Sequence, residues 1–175
     1  MYSTKEEDIS SKLEHAFKSA GDFKKRIVIE NAITLYYLET IVKTVDIQRY
    51  IIEPFQQNFT NDYKHPLSAD KIPSIISSLN CKEVSDYNEI EEALLNGFTF
   101  ISLQGKTSGL LVATQDWRER GIEEVYGERS TKGPINGFTE NLQINLNMLR
   151  NTLRTKELAI ETKPYGEKSK TLVSI

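Results

Sequence analysis

A chain of 175 residues with 38% hydrophobic residues can bury the core of one ordinary domain, or of one small domain plus a piece of another. A net charge of −3 argues against a general nucleic-acid binder, and the single cysteine, Cys81, excludes an internal disulfide and points to a reducing compartment. No apolar run approaches the roughly 20 residues that cross a bilayer, and the polar start MYSTKEEDISSKLEH lacks the apolar stretch of a secretory signal.

In residues 1–22, Ile9, Leu13, Ala16 and Phe17 recur at helical spacing and predict a marginal amphipathic helix. KKRIVIENAITLYYLETIV (24–42) is β-rich and too long for one strand, so two strands divided near Glu30–Asn31 are expected, or one strand and an irregular continuation. DIQRYIIEPFQQNF predicts a helix with Ile47, Tyr50, Ile51 and Phe55 on one face, kinked or ended by Pro54. A short helical pattern comes next at Ile72, Ile75, Ile76 and Leu79. VSDYNEIEEALLNG carries the clearest local signal. Asp86 and Glu89 form a capping-box-like start, Ile90, Ala93 and Leu94 an apolar face, and Gly97 a left-handed stop. FTFISLQG and GLLVATQD read as a hairpin. Leu142, Leu146, Leu149 and Leu153 then mark a longer helix, and LAIETKPYG and KSKTLVSI two more strands. This order argues a mixed α/β layer structure. Ending on the strand-like TLVSI would leave an open edge, so the chain reads as a piece cut within a second subdomain.

Little in this pattern carries chemistry. His15 and His65 have no nearby Cys or His companions, and the usual phosphate-loop, nucleophile-elbow and zinc motifs are absent. QGKTSG lies between two strands and reads as a turn rather than a phosphate cradle. Cys81 reads as an inert structural thiol. Arg150, Arg154 and Lys156 fall in the last turns of the final helix, where they complement its dipole without any anionic partner. Trp117, Arg118 and Arg120 are a candidate contact surface, set against a plainer reading as a loop whose tryptophan anchors it to the core. No enzymatic constellation, metal site or cofactor site is expected.

TKGPINGFTENL (131–142) stands apart. Gly133 tolerates what Pro134 demands of its predecessor, Pro134 fixes φ, and Asn136-Gly137 is a turn dipeptide. Phe138 reads as a buried aromatic anchor. Thr139 or Asn141 can cap the helix, and Glu140 lies where the dipole favours negative charge. Residue physics alone describes a stiff loop-to-helix junction.

GPINGFTENL also resembles the Gly-Pro-x-x-Gly-Phe-Thr-Glu-Asn motif of the A subunit of GerA-type spore germination receptors. YLETIVKTVDIQRYIIEPF, NEIEEALLNGFTFISLQG, LLVATQDWRERGIEE and LAIETKPYGEKSKTLVSI are similar to successive blocks of that family, so the likeness spans residues from about 24 to 175. Ile135 and Asn136 stand where the family carries a basic and then an acidic residue.

The resemblance implies an α/β fold: a mixed sheet with packed helices in a subdomain like those of substrate-binding proteins, a long connecting helix, and the start of a second subdomain. It divides the chain into a polar segment 1–22, a first subdomain 23–132, a linker and helix 133–156, and a truncated second subdomain 157–175. It implies a receptor region on the cytosolic face of the spore inner membrane. The partners it implies are B and C subunits and other A subunits, with the membrane reached through segments absent from this chain. Gly133, Pro134, Gly137, Phe138, Thr139, Glu140 and Asn141 would couple the two subdomains. The alternative is a small-molecule-binding module with its ligand between the α/β subdomains, for which a deep polar pocket there would be the mark.

Overall fold

A computed structural model describes residues 8–58, 72–76, 80–116 and 137–175. Helix α1 (Ile9–Ala16) opens the described chain and sends Leu13 into the core, with Phe17 just past its end. The β-rich run forms two antiparallel strands, β1 (Phe23–Ile29) and β2 (Ile33–Leu38). They turn through Asn31 at φ 55°, a left-handed position that asparagine tolerates better than most residues.

The next helix departs from its predicted form. A single turn, α2 (Thr44–Asp46), passes into a π-helical turn at Ile47–Ile52 and then into α3 (Glu53–Asn58). In the wide turn Glu53 N–H donates to the Gln48 carbonyl, five residues back. The helix runs through Pro54 because the widened turn ahead of it makes room for the ring where the regular ladder would break. Widening also shifts the phase of the apolar face. Ile47, Ile51, Ile52 and Phe55 are buried, whereas Tyr50 turns outward at 40% exposure. Helix α4 (Ile72–Ile75) closes this region; Leu79 lies outside the described residues.

Strand β3 (Cys81–Val84) is not foreseen in the sequence. Helix α5 (Tyr87–Leu95) starts as expected, with the Asp86 carboxylate accepting from Asn88 N–H at 3.1 Å. Glu89 does not complete the capping box; it pairs with Lys82 of β3. Gly97 ends the helix at φ +81°. The predicted hairpin is present as β4 (Phe98–Leu103) and β5 (Gly109–Ala113). At Gly109 an added Cβ would come within 2.4 Å of the Ile101 carbonyl oxygen, so glycine permits the close pairing.

These strands form one sheet in the order β1-β2-β4-β5-β3, every pair antiparallel. Alternation along β2 gives the sheet two buried faces. Leu35 and Tyr37 join Ile47, Ile51, Phe55 and Ile72 on one side. Tyr36 and Leu38 join Leu13, Phe17, Ile90 and Leu94 on the other. A stacked row of rings, Phe17, Phe23, Tyr36 and Phe100, runs through the second layer at centroid spacings of 4.9, 5.9 and 6.4 Å. The architecture is thus helix, antiparallel sheet, helix.

Helix α6 (Leu142–Thr152) packs against the loop after β2. An irregular stretch leads from it to a separate hairpin, β6 (Thr162–Tyr165) and β7 (Thr171–Ser174), turning at Gly166 with φ +86°. Every residue of that hairpin except Ser174 is exposed.

Candidate functional site

The described part of the motif, from Gly137 onward, is an extended entrance to α6. Asn141 is the cap: its side-chain oxygen accepts from Ile144 N–H at 3.2 Å. Thr139 Oγ1 accepts from Asn141 N–H at 3.2 Å. The entrance is held from within the helix by Asn145. Its Oδ1 accepts from Thr139 N–H at 2.7 Å, and its Nδ2 donates to the Thr139 carbonyl at 2.7 Å.

Phe138 does not anchor this segment. It is 66% exposed, which corrects the expectation of a buried ring. A two-point amide clasp already fixes the backbone, and residues 137–140 are all exposed. Glu140 is exposed and precedes the cap by one residue. Gly133 and Pro134 lie outside the described residues, as do Trp117, Arg118, Arg120 and His65.

The other end of α6 holds the larger surprise. Leu146 faces the core, but Asn147 and Arg150 are buried beside it, and Leu153 is 48% exposed. Arg150 therefore does not simply complement the helix dipole. Its Nε donates to Asp22 Oδ2 at 3.1 Å and its Nη2 to Asp22 Oδ1 at 2.6 Å, a two-pronged ion pair with side-chain exposures of 0% and 4%. Further donations reach the Thr155 carbonyl at 2.9 Å and the Leu158 carbonyl at 3.0 Å. Thr40 Oγ1 donates to Asp22 Oδ2 at 2.6 Å. Asn147 Nδ2 donates to the carbonyls of Thr40 at 2.9 Å and Asp116 at 3.1 Å. Each charge is thus met by charge or hydrogen bond, as burial in a low dielectric demands.

Two surface ties reinforce this end. Arg154 Nη1 donates to Asn96 Oδ1 at 2.6 Å, and Lys156 pairs with Glu91 at 2.9 Å. Tyr87 lies beside the Glu91 carboxylate. Burial first, then that carboxylate, pushes the Tyr87 phenol up to about 12. Asp22, Thr40, Asn145 and Asn147 are the site residues that sequence reasoning misses. Their partners are distant or backbone groups, and no spacing rule reveals them.

Among the described residues no group of three or more His, Cys, Asp or Glu side chains could hold a metal ion, and no helix is long and apolar enough to cross a membrane. Burial raises the Cys81 thiol above its ordinary value, the direction that disfavours the thiolate. An open groove between α1 and the Lys156–Glu157 turn is lined by Lys12, His15, Lys18 and Tyr87. The arrangement around Arg150 is suited to fixing the direction of α6 against the sheet.

A family profile described as Bacillus/Clostridium GerA spore germination protein matches residues 11–175. The chain is 27% identical over 137 residues to an uncharacterized membrane protein, YfkQ, of Bacillus subtilis (strain 168), covering 78% of this chain and 26% of that one. It is 25% identical over 152 residues to stage V sporulation protein AF of the same organism, covering 87% of this chain and 31% of that protein. The chain therefore spans about a quarter to a third of the length of these curated relatives. The crystal structure of the N-terminal domain of the A subunit of the Bacillus megaterium spore germinant receptor GerK3 has a similar fold. Its TM-score is 0.61 at 23% identity, covering 99% of this chain and 66% of that one.

Proposed function

Because the chain belongs to the Bacillus/Clostridium GerA spore germination protein family, we propose that it is the N-terminal region of a germinant receptor A subunit and takes part in receptor assembly and signal transduction. The observation that carries this reading is the family match over residues 11–175, joined to a fold likeness that covers 99% of the chain. On this reading the region lies on the cytosolic face of the spore inner membrane and is tethered by segments outside this chain. It works with B and C subunits and with other A subunits, and it performs no catalysis.

The division into a first subdomain at 23–132, a linker and helix at 133–156 and the start of a second subdomain at 157–175 fits this role. Residues Gly133, Pro134, Gly137, Phe138, Thr139, Glu140 and Asn141 form the joint between subdomains. Coupling needs an element with discrete arrangements, and a capped helix with a clasped entrance moves as one piece. Exposure suits Phe138 and Glu140 to contact a neighbouring subunit or subdomain.

The test is Glu140→Ala in the full-length receptor. Its side chain is exposed, so this chain alone should melt within about 0.5 kcal/mol of the parent. Germination should nevertheless be impaired at normal receptor levels; normal germination would reduce the motif to an ordinary helix entrance. Calorimetric binding of an amino acid or sugar germinant at micromolar affinity would instead favour a small-molecule-binding module.

A further inference from the structure

The contacts of Arg150 join two parts of the chain that lie far apart in sequence. Asp22 and Gly21 precede β1, on the five-stranded sheet. Thr155, Leu158 and Ile160 belong to the irregular stretch between α6 and β6. That stretch has little apolar surface to hold it down: Ile160 is buried, whereas Leu153, Arg154, Glu157 and Ala159 are exposed. Its order rests on polar contacts: two of its carbonyls accept from Arg150, a third, that of Ile160, accepts from Gly21 N–H at 3.0 Å, and Arg154 and Lys156 reach Asn96 and Glu91 of the α5 region at the surface. Gly21 is matched to that contact, because an added Cβ would lie 2.3 Å from the Ile160 oxygen. Beyond Ile160 the chain enters the exposed hairpin, and Glu161 exchanges backbone bonds with Ile175.

We propose that Arg150 and Asp22 form a latch that sets the direction in which β6–β7 leaves the first sheet. The guanidinium reads three surfaces at once: the Asp22 carboxylate, the Thr155 carbonyl and the Leu158 carbonyl. With the latch closed, α6, residues 153–160 and the sheet are one unit. Opening it loosens residues 153–175, leaving the Arg154–Asn96 bond and the Lys156–Glu91 pair as surface ties, while both hydrophobic layers stay packed, because neither apolar cluster draws a side chain from beyond Val112. The inference rests on contacts within this chain and stands whether or not the receptor reading holds.

Native-state hydrogen exchange on the whole chain tests it, comparing the parent with Arg150→Met, Arg150→Lys and the double variant Asp22→Asn/Arg150→Met. The double variant removes both charges, so it avoids stranding a lone buried carboxylate. The amide of Gly21, whose acceptor lies in the exit segment, should exchange roughly tenfold faster or more in Arg150→Met and in the double variant, while those of Leu35 and Ile101 in the sheet keep their protection. Arg150→Lys keeps the charge but not the planar fork, and should fall between them and the parent. Acceleration at Gly21 matched by equal acceleration in the sheet would overturn the proposal, as would unchanged exchange at Gly21 or failure of both the single and the double variant to fold. Those outcomes would make the pair a general support of the fold, or no support of the exit segment.

Discussion

Phe55 and Phe138 are the same side chain in opposite circumstances. Phe55 is 0% exposed in the layer beneath the π-helical turn, and Phe138 is 66% exposed at the entrance to α6. Phe55→Ala should lower the free energy of unfolding in urea by about 3–5 kcal/mol, the usual cost of emptying a packed aromatic site. Phe138→Ala should stay within about 0.5 kcal/mol. A large loss at Phe138 would mean that the ring is covered in solution. Three phenols supply a second expectation. Tyr36, Tyr37 and Tyr87 are all held above the ordinary value of 10.0, burial being the largest cause in each. A raised value in the folded state means that the stabilisation is full below the unfolded value and is lost as pH rises through the folded one. Stability should therefore fall as pH rises above about 10, for Tyr87 between about 10 and about 12, and Tyr87→Phe should flatten part of that decline. At this scale the sequence is least transparent. Arg150 sits where an arginine needs no explanation, in the last turn of a helix, and its partner lies 128 residues away. A local reading stops at the first sufficient cause, so a buried ion pair with such a partner leaves no trace.

Elements are readable where their punctuation is local. Asp86 and Gly97 bracket α5, the glycine-bearing turn sets β4 against β5, and Asn31 divides β1 from β2. Legibility fails where tertiary contacts override the pattern. Strand β3 has only four residues, two of them exposed and charged, and becomes a strand because β5 offers it an edge. Periodicity misplaces the face around Tyr50 because a π-helical turn, invisible to a period of 3.6, rotates the residues beyond it. Helix α6 is legible in its leucines, yet it buries Asn147 and Arg150, and Leu153 just past its end is exposed. Its entrance yields an expectation on caps. Asn141→Ala should cost about 1 kcal/mol, through loss of the bond to Ile144 N–H. An equilibrium denaturation midpoint that does not move would show that the Asn145 clasp alone holds the helix start.

Considered whole, the molecule is an antiparallel sheet between two helical layers, with a short hairpin after it that is exposed on almost every residue. The motif spacing and the ordered blocks make the family legible from sequence, and with it the α/β class. The polar seam that ties α6 to the sheet is legible from neither, because its geometry exists only after the chain has folded back on itself.

The separation of 128 residues between Asp22 and Arg150 also orders events in time. At a synthesis rate of roughly 5–20 residues per second, Asp22 emerges several seconds or more before its cation is made. Thr40 is available much earlier and can hold the carboxylate meanwhile. The five-stranded sheet, whose strands all lie before residue 114, can assemble in that interval, leaving the ion pair to form after it. Contacts absent from the folding transition state leave the folding rate untouched. Refolding of Arg150→Met, monitored by stopped-flow circular dichroism, should therefore match the parent within about twofold, with the effect of the substitution appearing on the unfolding limb. A slowed refolding limb would place the pair in the nucleus instead. The cation that ties α6 to the five-stranded sheet would then be a late arrival in the life of every molecule.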